Sequence, residues 1–158
     1  MPVIRLEYDD AVVNETEAQA NIQLYDFMNS YKLGVISTVN EDKLPNAAIV
    51  GFGQTKNLEI LIGTDNTSRK YKNLHANPHV AFVIGGETPE TIQLEGTARE
   101  LELQELDIVR QNYWQKNPHA EVYHKNPGER YFIITPTWIR YTDLSVEPWD
   151  ITELRIGT

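Results

Sequence analysis

The chain has 158 residues, enough for one self-sufficient core and short for two. Lys and Arg total 14 against 23 Asp and Glu, a net charge of −9, which excludes nucleic acid and anionic membranes as partners unless the few cations are concentrated in one place. The absence of cysteine excludes disulfides, thiolate nucleophiles and cysteine-held zinc or iron–sulfur centres.

The opening residues, MPVIRLEYDD, lack a cationic start followed by an apolar run, so a cytoplasmic location is expected. No stretch approaches the ~20 apolar residues of a membrane-spanning helix. Residues 15–31 read as a helix, capped by Asn14 or Thr16 with Glu17 or Gln19 three positions on, and with Ala18, Ile22, Tyr25 and Met28 on one face. Strands follow at 35–39, at 44–53 with Pro45 held at its start, and at 58–63. Their short polar turns suggest an antiparallel meander. Residues 68–74 read as a short helix closed by Asn77-Pro78. Strands at 80–84 and 91–101 come next, with Gly96 marking a bulge. A helix at 103–116 places Leu103, Leu106, Val109 and Tyr113 on one side. Residues 117–130 read as a long polar loop, 131–135 and 137–142 as two strands separated by Pro136, and 143–158 as a weakly patterned tail. Strands joined by turns rather than helices disfavour a doubly wound parallel sheet. The expected class is a single mainly β domain over 1–158, a small antiparallel barrel with helices packed outside.

Three of the 14 cations, Arg69, Lys70 and Lys72, cluster where a strand gives way to a helix. A helix start offers free N–H groups and partial positive charge, and Thr64, Thr67 and Ser68 add hydroxyls. Arg can grip two phosphate oxygens, and Lys adds a point charge. Two readings stay open on these residues: a phosphate site, or an ordinary capped helix with a solvated basic face.

Gly34-Val35-Ile36-Ser37-Thr38-Val39, Leu44-Pro45, Gly63-Thr64, Ser68-Arg69-Lys70, Asn73-Leu74 and Asn77-Pro78 together resemble the pyridoxamine 5′-phosphate oxidase-like split-barrel flavoproteins. The likeness runs from about residue 33 to 101, and residues 136–143 resemble the closing strand of general-stress-type members. The resemblance implies a six-stranded antiparallel split β-barrel, a homodimer, and one FMN in each interface cleft. By position, Arg69 and Lys70 would hold the FMN phosphate with Ser68 and Thr64. Ala48, Ile49, Val50 and Gly51 would run beside the flavin ring with backbone groups facing its edge. Gly63 and Thr64 would lie under the ribityl chain, and Thr91 or Gln93 would place a polar side chain near the flavin. Where the oxidase has an Arg this chain has Ala48, and the oxidase's aromatic and basic ending has no counterpart after Trp138. The resemblance therefore implies FMN binding more than oxidation of pyridoxamine phosphate. It implies an oxidoreductase acting on an unidentified small molecule, with a non-catalytic flavin sensor, or a deazaflavin- or haem-binding relative, as alternatives. Flavin would supply the redox chemistry that a cysteine-free chain lacks.

His75 and His79 have helical ligand spacing, but Pro78 between them breaks the helix and no carboxylate completes a set. His119 and His124 read as surface residues of the long loop, which could cover a substrate cleft. Trp114 and Trp138 read as core or dimer-interface residues.

Overall fold

The computed structural model describes residues 3–8 and 15–156. Asn14 and the side chains of Thr16, Glu17 and Ala18, named above for the first helix, lie outside the described residues, as do Gly157 and Thr158. Nine strands form one curled sheet: β1 (Val3–Tyr8), β2 (Leu33–Val39), β3 (Pro45–Gly51), β4 (Gly53–Gln54), β5 (Ile60–Asp65), β6 (His79–Gly85), β7 (Glu90–Glu100), β8 (Glu129–Asp143) and β9 (Asp150–Ile156). The main order is β1-β9-β8-β7-β6-β2-β3, with β5 joining β8 and carrying β4 on its other edge. This is the expected mainly β, curled split-barrel architecture, with more strands than the six expected. Among the described residues, no helix is long and apolar enough to cross a membrane.

The inner strands alternate as one-sided sheets must. β6 exposes His79, Ala81 and Val83 and buries Val80, Phe82 and Ile84. β5 is apolar on both faces, Ile60-Leu61-Ile62, because both are covered. Ile60 and Ile62 join the main core beneath α1 (Glu15–Asn29) and α2 (Arg69–Ala76). Leu61 joins a second core with Val109, Tyr113, Trp114, Tyr131 and Ile133.

The structure corrects several expectations. β2 and β3 form a hairpin, but β5 leaves them and pairs with β8, so there is no three-strand meander. Residues 129–143 form one strand through Pro136. The register shift between Glu95 and Gly96 skips Thr137, and a proline without an N–H is accommodated at that irregularity. Gly96 is required there, since a Cβ would stand 2.4 Å from the Thr135 carbonyl oxygen. The tail supplies β9, and residues 3–8 pair with it in parallel, the one parallel ladder among the described residues. The helix over 103–116 is mixed: a 3-10 turn (Leu103–Glu105), one α turn, α3 (Leu106–Val109), and a π turn (Arg110–Trp114). Leu103 is 85 % exposed, while Val109 and Tyr113 face inward. The expected loop over 117–130 holds a 3-10 helix, Pro118–Lys125. In α1 the buried stripe is Ala20, Leu24 and Met28, and Ile22 is 62 % exposed. An i, i+4, i+8 row sits closer to the sheet than the row through Ile22.

Lys116 ties these layers together. Its Nζ donates to the Met28 carbonyl (3.1 Å) at the end of α1 and to Gln54 Oε1 (2.6 Å) in β4, and lies 3.6 Å from the Phe52 ring centroid. Burial lowers its pKa from 10.5 to about 7. Between those two values the unfolded chain binds more protons at this position than the folded one, so this contribution to stability rises with pH from about 7 upward. Urea unfolding of wild type and Lys116→Met at pH 7 and pH 9.5 should show the stability difference shifting toward wild type at the higher pH. A pH-independent difference would mean that Lys116 is not held in a desolvated site. Gly53 packs directly on the π turn, where a Cβ would fall 2.3 Å from the Asn112 carbonyl oxygen and 2.6 Å from Tyr113 Cα. Gly53→Ala should therefore cost about 1–3 kcal/mol, read as a lowered denaturation midpoint.

Candidate functional site

The start of α2 is built locally. Ser68 has extended φ/ψ, and its Oγ accepts from the Tyr71 N–H at 3.1 Å, satisfying one of the free donors of the first turn. The helix buries Asn73 and Leu74 and ends at Asn77, ahead of Pro78. Between its first turn and the β2–β3 hairpin lies a cleft of about 180 Å³. Ile36 and Thr38 of β2, Asn46, Ala47 and Ala48 of β3, and Ser68, Arg69, Lys70 and Asn73 line it.

Asn73 sets the width of this cleft. Its Nδ2 donates to Thr38 Oγ1 (3.0 Å) and to Asn46 Oδ1 (2.9 Å), two residues paired across the β2–β3 ladder. One buried amide thus fixes α2 against both strands. Thr64 Oγ1 and Ser68 Oγ share a hydrogen bond of 2.8 Å. Two hydroxyls joined by one bond use one proton and leave the other for an incoming acceptor.

The three clustered cations part company. Lys72 turns outward to Glu41, at 3.6 Å, both well exposed. Arg69 and Lys70 line the cleft, and neither has a carboxylate within ion-pairing distance among the described residues. Partial burial lowers the Lys70 pKa, opposed by the more distant charge of Glu129. Burial first, then Asp65, raises the Glu129 pKa, and Lys70 opposes the rise. Thr67 does not contribute its hydroxyl to the cleft: its backbone N–H and Oγ1 both donate to Asp65 Oδ1. These bonds, with the Asn126 amide on Oδ2 at 2.6 Å, hold the Asp65 carboxyl below the usual carboxylate range.

The remaining candidate residues are distributed around the sheet. Ala48 pairs with buried Ile36 and faces the cleft, whereas Ile49 points to the opposite face and is 72 % exposed. Val50 is buried in the main core. β3 ends the strand order, so the backbone of residues 48–51 has a free edge among the described residues. Gly63 abuts the second core: a Cβ there would lie 2.5 Å from Glu129 Oε1 and 3.1 Å from the Tyr131 ring. Gln93, Val83, Val35 and Ile49 form one transverse row on the outer face. Gln93 is thus three strand spacings, roughly 14 Å, from β3. Within one chain, Thr91 and Gln93 do not meet the cleft.

Thr38, Asn46 and Asn73 were not singled out from the sequence as site residues. The available signal was a polar Asn at an inward position of a short helix. Tyr113 and Asn117 approach Gly51, where a Cβ would lie 2.8 Å from the Tyr113 hydroxyl oxygen. Burial raises the Tyr113 pKa to about 12, so its hydroxyl remains protonated and able to donate. Trp114 is buried in the second core, and His124 packs on it in a tilted arrangement, ring centroids 4.9 Å apart, and reaches the Tyr131 hydroxyl at 3.2 Å. His75 pairs with Glu100 at 2.8 Å, while His79 lies exposed at the start of β6.

The family model for pyridoxamine 5′-phosphate oxidase matches residues 21–143. Among curated proteins none matches the sequence. Solved structures share the fold at low identity. A haem-binding protein from Mycobacterium smegmatis aligns with TM-score 0.71 and 18 % identity over 89 % of this chain and 59 % of that one. A pyridoxamine 5′-phosphate oxidase-related, FMN-binding protein from Nostoc punctiforme aligns with TM-score 0.62 and 15 % identity over 84 % and 86 % of the two chains. General stress protein 26 from Bacillus anthracis aligns with TM-score 0.60 and 21 % identity over 84 % and 97 %. The chain thus spans under two thirds of the haem-binding protein but most of the other two. With a family match over most of its length and the curled sheet to go with it, the chain belongs to the pyridoxamine 5′-phosphate oxidase family.

Proposed function

We infer that this protein binds FMN with its phosphate in the α2 cleft and acts as a flavin-dependent oxidoreductase on a small molecule. The observation that carries this reading is the pair of cations without carboxylate partners, Arg69 and Lys70, beside two hydroxyls with a proton to spare in a chain of net charge −9. In an acidic chain, cations left without carboxylates are suited to an external dianion, and the helix start adds its own partial charge.

FMN, when bound, would supply hydride and electron transfer. The chain's own contribution is binding and placement. Arg69 and Lys70 neutralise the phosphate, and Thr64 or Ser68 donates a hydroxyl to it. Asn73 keeps the cleft open at fixed width. The free edge of β3 at residues 48–51 offers backbone N–H and C=O groups to the polar edge of the flavin ring. The outer row of Val35, Val83 and Ile49 gives an apolar wall for a second copy of the chain. In that homodimer Thr91 and Gln93 of one protomer would approach the flavin held by its partner, completing a site that one chain leaves half built. With Ala48 in place of the oxidase's Arg, the cleft has one cation fewer, so the substrate need not carry a phosphate.

The purified protein should carry flavin absorbance or acquire it with a raised melting temperature on adding FMN. No shift at saturating FMN would overturn the reading, and a haem or deazaflavin spectrum would reassign the ligand. Arg69→Ala with Lys70→Ala should weaken FMN binding at least about 100-fold, since two charge-assisted bonds are lost. Riboflavin, which lacks the phosphate, should change no more than about threefold; equal losses would place the phosphate elsewhere. Asn73→Ala should weaken FMN about tenfold while leaving both cations in place. Reduction by nicotinamide cofactors followed by timed reoxidation separates an enzyme from a flavin sensor.

A further inference from the structure

A second concave site lies apart from the phosphate cleft, against β7 and β8 rather than β2 and β3. A groove of about 610 Å³ runs between α1 and the adjoining ends of β7 and β8. The volume is typical of a small-molecule site. One wall is the last turn of α1, with Asp26 and Phe27, and the residues just after it, with Tyr31. The other is formed by Thr88 and Glu90, with Tyr141 at the base.

Three observations define what this groove can hold. The first is aromatic surface: Phe27 and Tyr31 lie 5.1 Å apart, and Phe27 meets Tyr141 edge-on at 5.7 Å. The second is charge. Among the described residues the lining includes two carboxylates, Asp26 and Glu90, and no Lys, Arg or His. Glu90 is held in place, its Oε2 accepting the Tyr141 hydroxyl at 2.6 Å, and burial of Tyr141 keeps that phenol protonated as the donor. Glu90 Oε1 and the Asp26 carboxylate have no hydrogen bond or ion pair among the described residues. The third is a contrast within the same chain. Tyr25, on another face of α1, has the Lys56 ammonium 3.9 Å from its ring, and Phe52 has Lys116 at 3.6 Å. Among the described residues the rings in the groove have no such cation.

We propose that this groove binds an organic cation, an amine or quaternary ammonium on an apolar or aromatic body. The cationic head sits between Glu90 and Asp26 and against the faces of Tyr31 and Phe27, where carboxylate attraction and cation–π attraction add. The apolar body covers the exposed aromatic edges. The site is independent of the flavin assignment, being built from α1, Thr88, Glu90 and Tyr141 rather than from α2 and β3.

The test is titration of the full-length protein, with FMN saturating or absent, using benzyltrimethylammonium chloride as the cation and 2-phenylethanol as a neutral body of similar size. Calorimetry at constant ionic strength, with amide chemical shifts in α1 as a second readout, should show saturable binding of the cation and at least about tenfold weaker binding of the alcohol. Glu90→Gln retains an acceptor for Tyr141 and should weaken the cation about fivefold or more, as should Asp26→Asn on the exposed helix flank. Glu87→Gln, an exposed acid outside the groove, should change affinity by less than about twofold. Absence of saturable binding overturns the proposal. So does equal binding of the alcohol, which would make the groove merely apolar, or equal weakening by Glu87→Gln, which would make the attraction a diffuse surface effect. Because Asp26→Asn alters only an exposed side chain, the question stays decidable even if Glu90→Gln fails to fold.

Discussion

The architecture hangs on β8. This 15-residue strand offers one edge continuously to β7, apart from the irregularity at Thr137. Its other edge is divided, with residues 129–134 pairing β5 and residues 138–143 pairing β9. A single strand serving two partners on one edge gives the sheet its split. The junction is made by Pro136, which has no N–H to leave unpaired, and by Gly96, which lets the chains approach too closely for any Cβ. Both hydrophobic cores depend on this arrangement. Alternate residues of β8 and β5 enter the main core and the second core, so both cores draw on the β5–β8 ladder.

That ladder also positions the chemistry. β5 delivers Thr64 to Ser68 at the point where α2 begins, and β2 and β3 deliver Thr38 and Asn46 to Asn73. The result is a small cleft lined by Ser68, Arg69, Lys70 and Asn73, which under the proposed function takes the phosphate. Lys72 turns to Glu41 and the Thr67 hydroxyl donates to Asp65, while Arg69 and Lys70 have no carboxylate within ion-pairing distance among the described residues. In a chain of net charge −9, two adjacent cations without an ion-pair partner among the described residues stand out, with Glu129 acting on Lys70 only at longer range. The aromatic groove beside α1 shows the reverse logic, with carboxylates and rings gathered and cations absent among the described residues.

The outer face of the sheet bears on the proposed homodimer. The row from Gln93 to Ile49 is solvent-facing and largely apolar, and it continues to the edge of β3 that is unpaired among the described residues. In the proposed homodimer this face would meet a second copy of the chain.

Much of this was legible in the amino-acid sequence. Apolar and β-branched runs between turn residues marked β2, β6 and β7, and Asn77-Pro78 marked the end of α2, because strand propensity and helix termination are local physics. The motif from Pro45 to Lys70 identified the family and the cations of the cleft. What local physics cannot carry is pairing at long range. Whether β5 joins β3 or β8, whether 131–142 is one strand or two, and whether the two ends of the chain pair in parallel depend on which ladders close a core. The same holds for side chains whose partners are distant in sequence. Only the tertiary structure sent Lys72 to Glu41, left Arg69 and Lys70 without an ion-pair partner among the described residues, and set Asn73 between two strands. Charge and residue type are fixed along the chain, but whether a charge is neutralised depends on the neighbours that folding brings to it.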